Sequence, residues 1–188
     1  MAAALGLDED AIACGLEADA IAPGRLEPVE NSLGVRILVD FAHTPDGLLQ
    51  VLKSLSAVPH RRIITVFGCG GDRDRTKRPV MGGIAQRYSD LAILTSDNPR
   101  TEDPTGILEE VAAGMTPGEG THEIVPDRRQ AIARALDLVE EGDIMLVAGK
   151  GHETMQILGT TLHDFDDRAV VREILAATGG AVAKGEKP

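Results

Sequence analysis

Apolar positions along the chain follow two different periods. Runs rich in Val, Ile and Leu at Arg36–Phe41, Ile63–Phe67, Leu91–Thr95 and Ile144–Val147 are nearly continuous, as strands covered on both faces are. Between them apolar residues recur at i, i+3, i+4 and i+7, the spacing of one helix face. Leu48, Val51, Leu52 and Leu55 form the first stripe, and Met81, Ile84, Ala85 and Tyr88 the second. Leu108, Val111, Ala112 and Met115 follow, then Ile132, Ala135, Leu136 and Val139, and finally Val170, Val171, Ile174 and Leu175. Thr44-Pro45 and Asp103-Pro104 each set a capping side chain before a proline at the first helical position. Asp127 with Gln130 resembles a capping box. Strands alternating with helices predict an α/β, Rossmann-like fold: a mainly parallel sheet with helices on both faces. His122–Val125 is a candidate for one more short strand.

The two ends break this pattern. Asp8–Leu16 suggests the end of a helix and Pro23-Gly24 a turn, so residues 1–22 read as the tail of something that precedes them. Gly179–Pro188, rich in Gly, Ala and Lys, is expected to be a disordered tail.

Composition narrows the function classes. The chain has 188 residues, 43% of them hydrophobic, but only 2% aromatic, so Leu, Ile, Val and Ala must build the core. So few rings argue against stacking on single-stranded nucleic acid, and a formal net charge of −11 argues against binding a phosphate backbone. Cys14 and Cys69 form no C-x-x-C pair and no metal-ligand spacing. Met1–Leu5 lacks the basic stretch of a signal peptide, and no apolar run approaches the roughly 18 residues of a membrane span. A cytoplasmic protein is expected, monomeric, with no membrane or nucleic-acid partner.

In a doubly wound sheet, ligands bind beyond the carboxyl ends of the strands. The unusual residues fall there. The four strands are followed by Asp40–Asp46, Gly68–Arg75, Ser96–Arg100 and Ala148–Glu153. Taken singly, each admits a plain structural reading. The glycines can serve tight turns, and His43 can sit near a helix start. Asp40 can end its strand or take ribose hydroxyls. Asp72 to Arg78 can be a solvated charge run, Arg100 can pair with Asp97 or Glu102, and Glu153 can be an exposed loop carboxylate. No P-loop G-x-x-x-x-G-K-[S/T] is present.

Together the loops are more specific. DFAHTPD (Asp40–Asp46), FGCGGDRDRTKRP (Phe67–Pro79), SDNPRTEDP (Ser96–Pro104) and AGKGHE (Ala148–Glu153) resemble, in order and spacing, the Mur ligase family. Within it they look most like the members that add diaminopimelate. Asp164–Arg168 belongs to the same pattern, and Pro23–Glu27 resembles that family's link between its central ATPase domain and its C-terminal domain. Phe41 stands where Tyr is common, and Ala169 where Glu is common. The resemblance implies that residues 23–178 are a C-terminal Mur ligase domain and 1–22 a remnant of the central ATPase domain. It implies a fragment without activity of its own, taken from an ADP-forming, ATP-dependent ligase. That ligase joins meso-diaminopimelate to a UDP-MurNAc-dipeptide, with ATP and Mg2+ held mainly by the central domain.

By motif position the resemblance assigns Arg73, Asn98, Arg100, Gly149 and Glu153 to meso-diaminopimelate, and Arg25, Asp40 and His43 to ATP. It places no metal ligand and no catalytic residue in this chain. That pocket suits its ligand chemically. Arg73 and Arg100 offer bidentate donors to two carboxylates, Glu153 an acceptor for an ammonium, and Asn98 both a donor and an acceptor. Lysine would leave one arginine unpaired, at about 3–5 kcal/mol if that arginine is well buried. Two rivals stand beside this reading: a related ligase of the folylpolyglutamate or cyanophycin synthetase type, and a stand-alone module that binds an amino acid or a nucleotide.

Overall fold

The computed structural model describes residues 22–116 and 120–180. The readings made on residues 1–21, Cys14 among them, and on 181–188 lie outside the described residues. The elements run β1 (Glu27–Val29), β2 (Arg36–Asp40), α1 (Pro45–Ser56), β3 (Ile63–Phe67), α2 (Lys77–Tyr88), β4 (Leu91–Leu94), α3 (Pro104–Ala112) and β5 (Thr121–Ile124). Then come α4 (Arg128–Leu138), β6 (Ile144–Ala148), β7 (Met155–Leu158), β8 (Thr161–Asp164) and α5 (Asp167–Thr178). Six strands form one sheet in the order β1-β2-β6-β3-β4-β5. Only β1, an edge strand, is antiparallel to its neighbour. The expected α/β fold is thus the observed one, and the short candidate strand at His122–Val125 is β5, parallel to β4.

The continuous apolar runs are buried on both faces, as their pattern demanded. Ile63, Phe67, Ile144 and Leu146 pack under α1, α2 and α3, while Ile64, Val66, Met145 and Val147 pack under α4 and α5. The caps form where sequence placed them. Thr44 accepts from Gly47 N, Asp103 from Thr105 N and Gly106 N, and Asp127 from Gln130 N. In α5, Asp166 caps by accepting from Arg168 N and Ala169 N, and the helix ends on Gly179 at φ +78. Gly179 and Gly180 therefore belong to a helix terminus, Gly180 N donating to Leu175 O, and not to the tail expected from Gly179 onward.

Two features escaped the sequence. The first is β1; the second is the β7–β8 hairpin, a separate two-stranded sheet that lies over the loop after β4. That loop and the three after β2, β3 and β6 leave the same edge of the sheet.

Candidate functional site

The four loops enclose a cleft of about 650 Å³. Arg73 reaches it from the β3–α2 loop, Asn98 and Arg100 from the β4–α3 loop, and Gly149 and Glu153 from the loop after β6. His43 lines it too, from the β2–α1 loop. All five residues assigned to the amino-acid pocket, with one of the three assigned to ATP, therefore share one cavity.

Arg25 and Asp40 do not line it. Arg25 lies with its guanidinium carbon 5.1 Å from the Phe41 ring centroid, and that ring meets His43 edge-on at 4.5 Å. Asp40 is buried, its carboxylate accepting from Leu26 N and Ala42 N, each at 2.8 Å. It thereby ties the segment carrying Arg25 to the loop carrying His43.

The backbone of the cleft is held tightly. Asp72 and Arg100 both adopt φ +53, a left-handed conformation that costs a non-glycine residue about 1–2 kcal/mol. Each is fastened in place. The Asp72 carboxylate accepts from Thr101 N and its hydroxyl, and Arg100 donates its N–H to Ile157 O while its carbonyl accepts from Gly159 N. Two glycines are required by close approach. A Cβ on Gly71 would fall on the Pro99 carbonyl; one on Gly149, at φ +119, would stand 2.6 Å from Asp97 Oδ2.

The charge run after β3 is not solvated throughout. Arg78, with Met81 and Ala85, faces inward from α2 and is fully buried. Its guanidinium holds Glu102 at 2.8 Å and Glu110 at 2.8 Å, and donates to Gly70 O. Glu102 also accepts from Asp72 N. Neither Glu102 nor Asp97 pairs with Arg100, whose Nη1 donates instead to Gly71 O at 2.7 Å. The hydrogen bond from Arg78 holds Glu102 down to about 2, and hydrogen bonds from Arg75 and Arg78 do the same for Glu110. Between the ordinary value of 4.5 and about 2, the unfolded chain therefore binds more protons at these sites than the folded one. Their contribution to stability is full above about pH 4.5 and is lost as pH falls through about 2. Glu102→Gln should flatten that part of the acid-unfolding curve; an unchanged slope in pH-dependent thermal melts would contradict the network.

Several residues of the site were not singled out by sequence. Asp97, 7% exposed, lines the cleft, and burial pushes its carboxyl up while Arg128 and Lys150 pull it back. Lys150 lies fully buried beneath Asn98 and Glu153. Gln156, on the hairpin, donates to Asp97 O at 2.7 Å.

Comparison with known proteins decides the family. Residues 24–151 match the family model described as Mur ligase, glutamate ligase domain. The chain belongs to the Mur ligase family. A curated relative from Geobacter metallireducens, called UDP-N-acetylmuramoyl-L-alanyl-D-glutamate–2,6-diaminopimelate ligase, is 50% identical over 97% of this chain. The aligned part is 38% of that relative's own length, so the Mur ligase chain described here spans well under half of it. A solved structure bearing the same ligase name is 40% identical over 95% of this chain and 36% of its own, with a TM-score of 0.80. A second structure, of E. coli FolC in complex with ADP, is 23% identical over 92% of this chain and 36% of its own, TM-score 0.62, and shares the fold.

Proposed function

We propose that residues 23–178 are the C-terminal domain of an ADP-forming ligase that adds meso-diaminopimelate to a UDP-MurNAc-L-alanyl-D-glutamate precursor, and that this domain supplies the amino-acid pocket. The observation that carries the proposal is the meeting of Arg73 and Arg100 with Asn98 and Glu153 in one cleft. Two guanidinium groups suit two carboxylates, and a carboxylate in the same cleft suits an ammonium. The names and identities of the relatives support the same substrate class.

In the reaction so read, ATP phosphorylates the side-chain carboxylate of D-glutamate. The free amine of diaminopimelate then attacks that carbonyl carbon, the carbon–oxygen bond to phosphate breaks, and phosphate leaves as the new amide loses a proton. This chain's residues orient the amine for attack. Arg25, beside the Phe41 ring, and exposed His43 form a cationic and aromatic face suited to a nucleotide. Asp40 would meet a ribose only through oxygen capacity left over from its two amide partners. The family resemblance, and no feature of the described residues, assigns Mg2+ to the central ATPase domain, where about one or two carboxylates and the ATP phosphates would hold it.

The test uses the 188-residue chain as it stands. Titration of the isotope-labelled chain with meso-diaminopimelate should move the NMR signals of Asn98, Arg100 and Glu153, with a dissociation constant of about 1 mM or weaker, because domain closure completes such sites. The same chain with ATP, Mg2+, the UDP-linked dipeptide and diaminopimelate should yield no ligated product. Product from the chain alone, or micromolar binding of either ligand, would replace the proposal with a self-sufficient enzyme or a stand-alone binding module.

A further inference from the structure

Taking the cleft as the diaminopimelate site, we infer that Lys150 is a positioning residue of that site: its buried ammonium, together with the Ile157 N–H, sets which way the Asn98 amide faces, and it sets which Glu153 oxygen is left for the ligand. The Lys150 side chain is fully buried directly behind the cleft. Its three N–H bonds have three acceptors, Met155 O at 2.6 Å, Glu153 Oε2 at 3.1 Å and Asn98 Oδ1 at 3.3 Å. Asn98 Oδ1 also accepts from Ile157 N at 3.0 Å. An ammonium and a backbone N–H can only donate, so the Asn98 atom facing them must be oxygen, and both its lone pairs are taken. One Nδ2 hydrogen goes to Glu153 Oε2 at 2.9 Å.

What remains for a ligand is therefore narrower than the residue types suggest. Asn98 offers a single N–H and no acceptor. Glu153 offers Oε1, because Oε2 already holds Asn98 and Lys150. A donor beside a carboxylate oxygen matches a zwitterionic amino-acid centre: the ammonium goes to Glu153 Oε1, the carboxylate to Asn98 Nδ2 and Arg100. Glu153 keeps 36% side-chain exposure, so without Lys150 it is free to turn toward water.

Lys150→Met removes the charge at nearly constant length. We compare the variant with the unaltered chain by NMR titration, using meso-diaminopimelate and pimelate; pimelate keeps both carboxylates and lacks both ammonium groups. The expected result is a loss of about tenfold or more for meso-diaminopimelate, the scale of one charge-assisted hydrogen bond, and a clearly smaller loss for pimelate, which gives up only the orientation of the Asn98 N–H. Without ligand, the two Asn98 Nδ2 protons should be well separated in the unaltered chain and drawn together in the variant. Equal losses for both ligands, or no loss, would overturn the positioning role in favour of a structural one or none. Unchanged Asn98 side-chain signals in the variant would overturn it even if the unaltered chain bound no diaminopimelate, a result that would by itself remove only the substrate reading. If the variant does not fold, the unaltered chain decides. A Lys150 ammonium signal protected from exchange, with contacts to Asn98 and Glu153, supports the role, and one exchanging as fast as surface lysines rejects it.

Discussion

Asp167→Ala is expected to lower the stability of the chain by about 3–5 kcal/mol, the usual penalty for removing one partner of a buried ion pair. Both side chains of the Arg128–Asp167 pair are fully buried, and they meet through two hydrogen bonds of 2.8 Å. Neither ion can recover its hydration. Without Asp167 the Arg128 guanidinium stays in the interior, and its carbonyl partners, Ala148 O at 3.0 Å and Ser96 O at 3.4 Å, offer only partial compensation. In a domain whose whole stability is about 5–15 kcal/mol, such a loss is a large share, and a melting temperature lower by about 6–20 °C follows. Replacing both partners together, Arg128→Met with Asp167→Leu, should cost less than Asp167→Ala alone, because neither member of the pair is left charged without the other, and Asp97, which also faces Arg128, can take up a proton. Calorimetric melts of the single and double variants check this, and a double variant less stable than the single one would contradict it. The pair also has a functional consequence. Ala148 ends β6 and Ser96 follows β4, so the guanidinium joins the two strand ends from which Asn98, Arg100, Gly149 and Glu153 project.

That pair shows what kind of information the chain hides. Arg128 and Asp167 lie 39 residues apart, and nothing local in either neighbourhood announces that they meet. The sheet was legible because a parallel strand buried on both faces must be apolar almost throughout, as Ile63–Phe67, broken only by Thr65, and Ile144–Ala148 are. The helices were legible through their stripes and through capping residues placed before prolines. β1 was not: Glu27-Pro28-Val29 is three residues long, has a proline without an N–H, and lies at an edge where such residues are tolerated. The β7–β8 hairpin covers a loop instead of the core, so its strands are half or fully exposed and carry no apolar period. A signal existed all the same. Gly159-Thr160, with Ile157, Leu158 and Leu162 on either side, has the form of a two-residue hairpin turn, and Gly159 stands at φ +62.

The cleft was legible as four loops at one sheet edge, because topology alone brings them together. Its wiring was not. Arg78 looked like one charge in a run, yet it stands three residues before Met81 and seven before Ala85, on the stripe that faces the core. Asn98 had been credited with both donor and acceptor capacity, and the tertiary contacts of Lys150 and Ile157 remove the second.

Arg100→Ala is expected to weaken meso-diaminopimelate binding by about 1.5–3 kcal/mol, roughly tenfold to 150-fold, the range for hydrogen bonds to a charged group. This is less than the roughly 3–5 kcal/mol expected for a fully buried arginine. Arg100 is only partly buried and Arg73 is exposed, so water can still reach a guanidinium that a ligand leaves unpaired. Discrimination against lysine, which lacks the second carboxylate, should shrink for the same reason, to about the same tenfold to 150-fold, and should largely vanish in Arg100→Ala. The backbone at position 100 provides the control. At φ +53 an alanine keeps the left-handed strain and a glycine relieves it. Arg100→Gly should therefore be at least as stable as Arg100→Ala while losing the ligand to the same degree. Binding losses that followed stability across the two variants would mean that Arg100 shapes the loop without touching the ligand. Equal losses with different stabilities would place its guanidinium on a ligand carboxylate. Its Nη1 is already spent on Gly71 O, so the remaining donors of the fork are what the cleft presents, alongside the single N–H of Asn98.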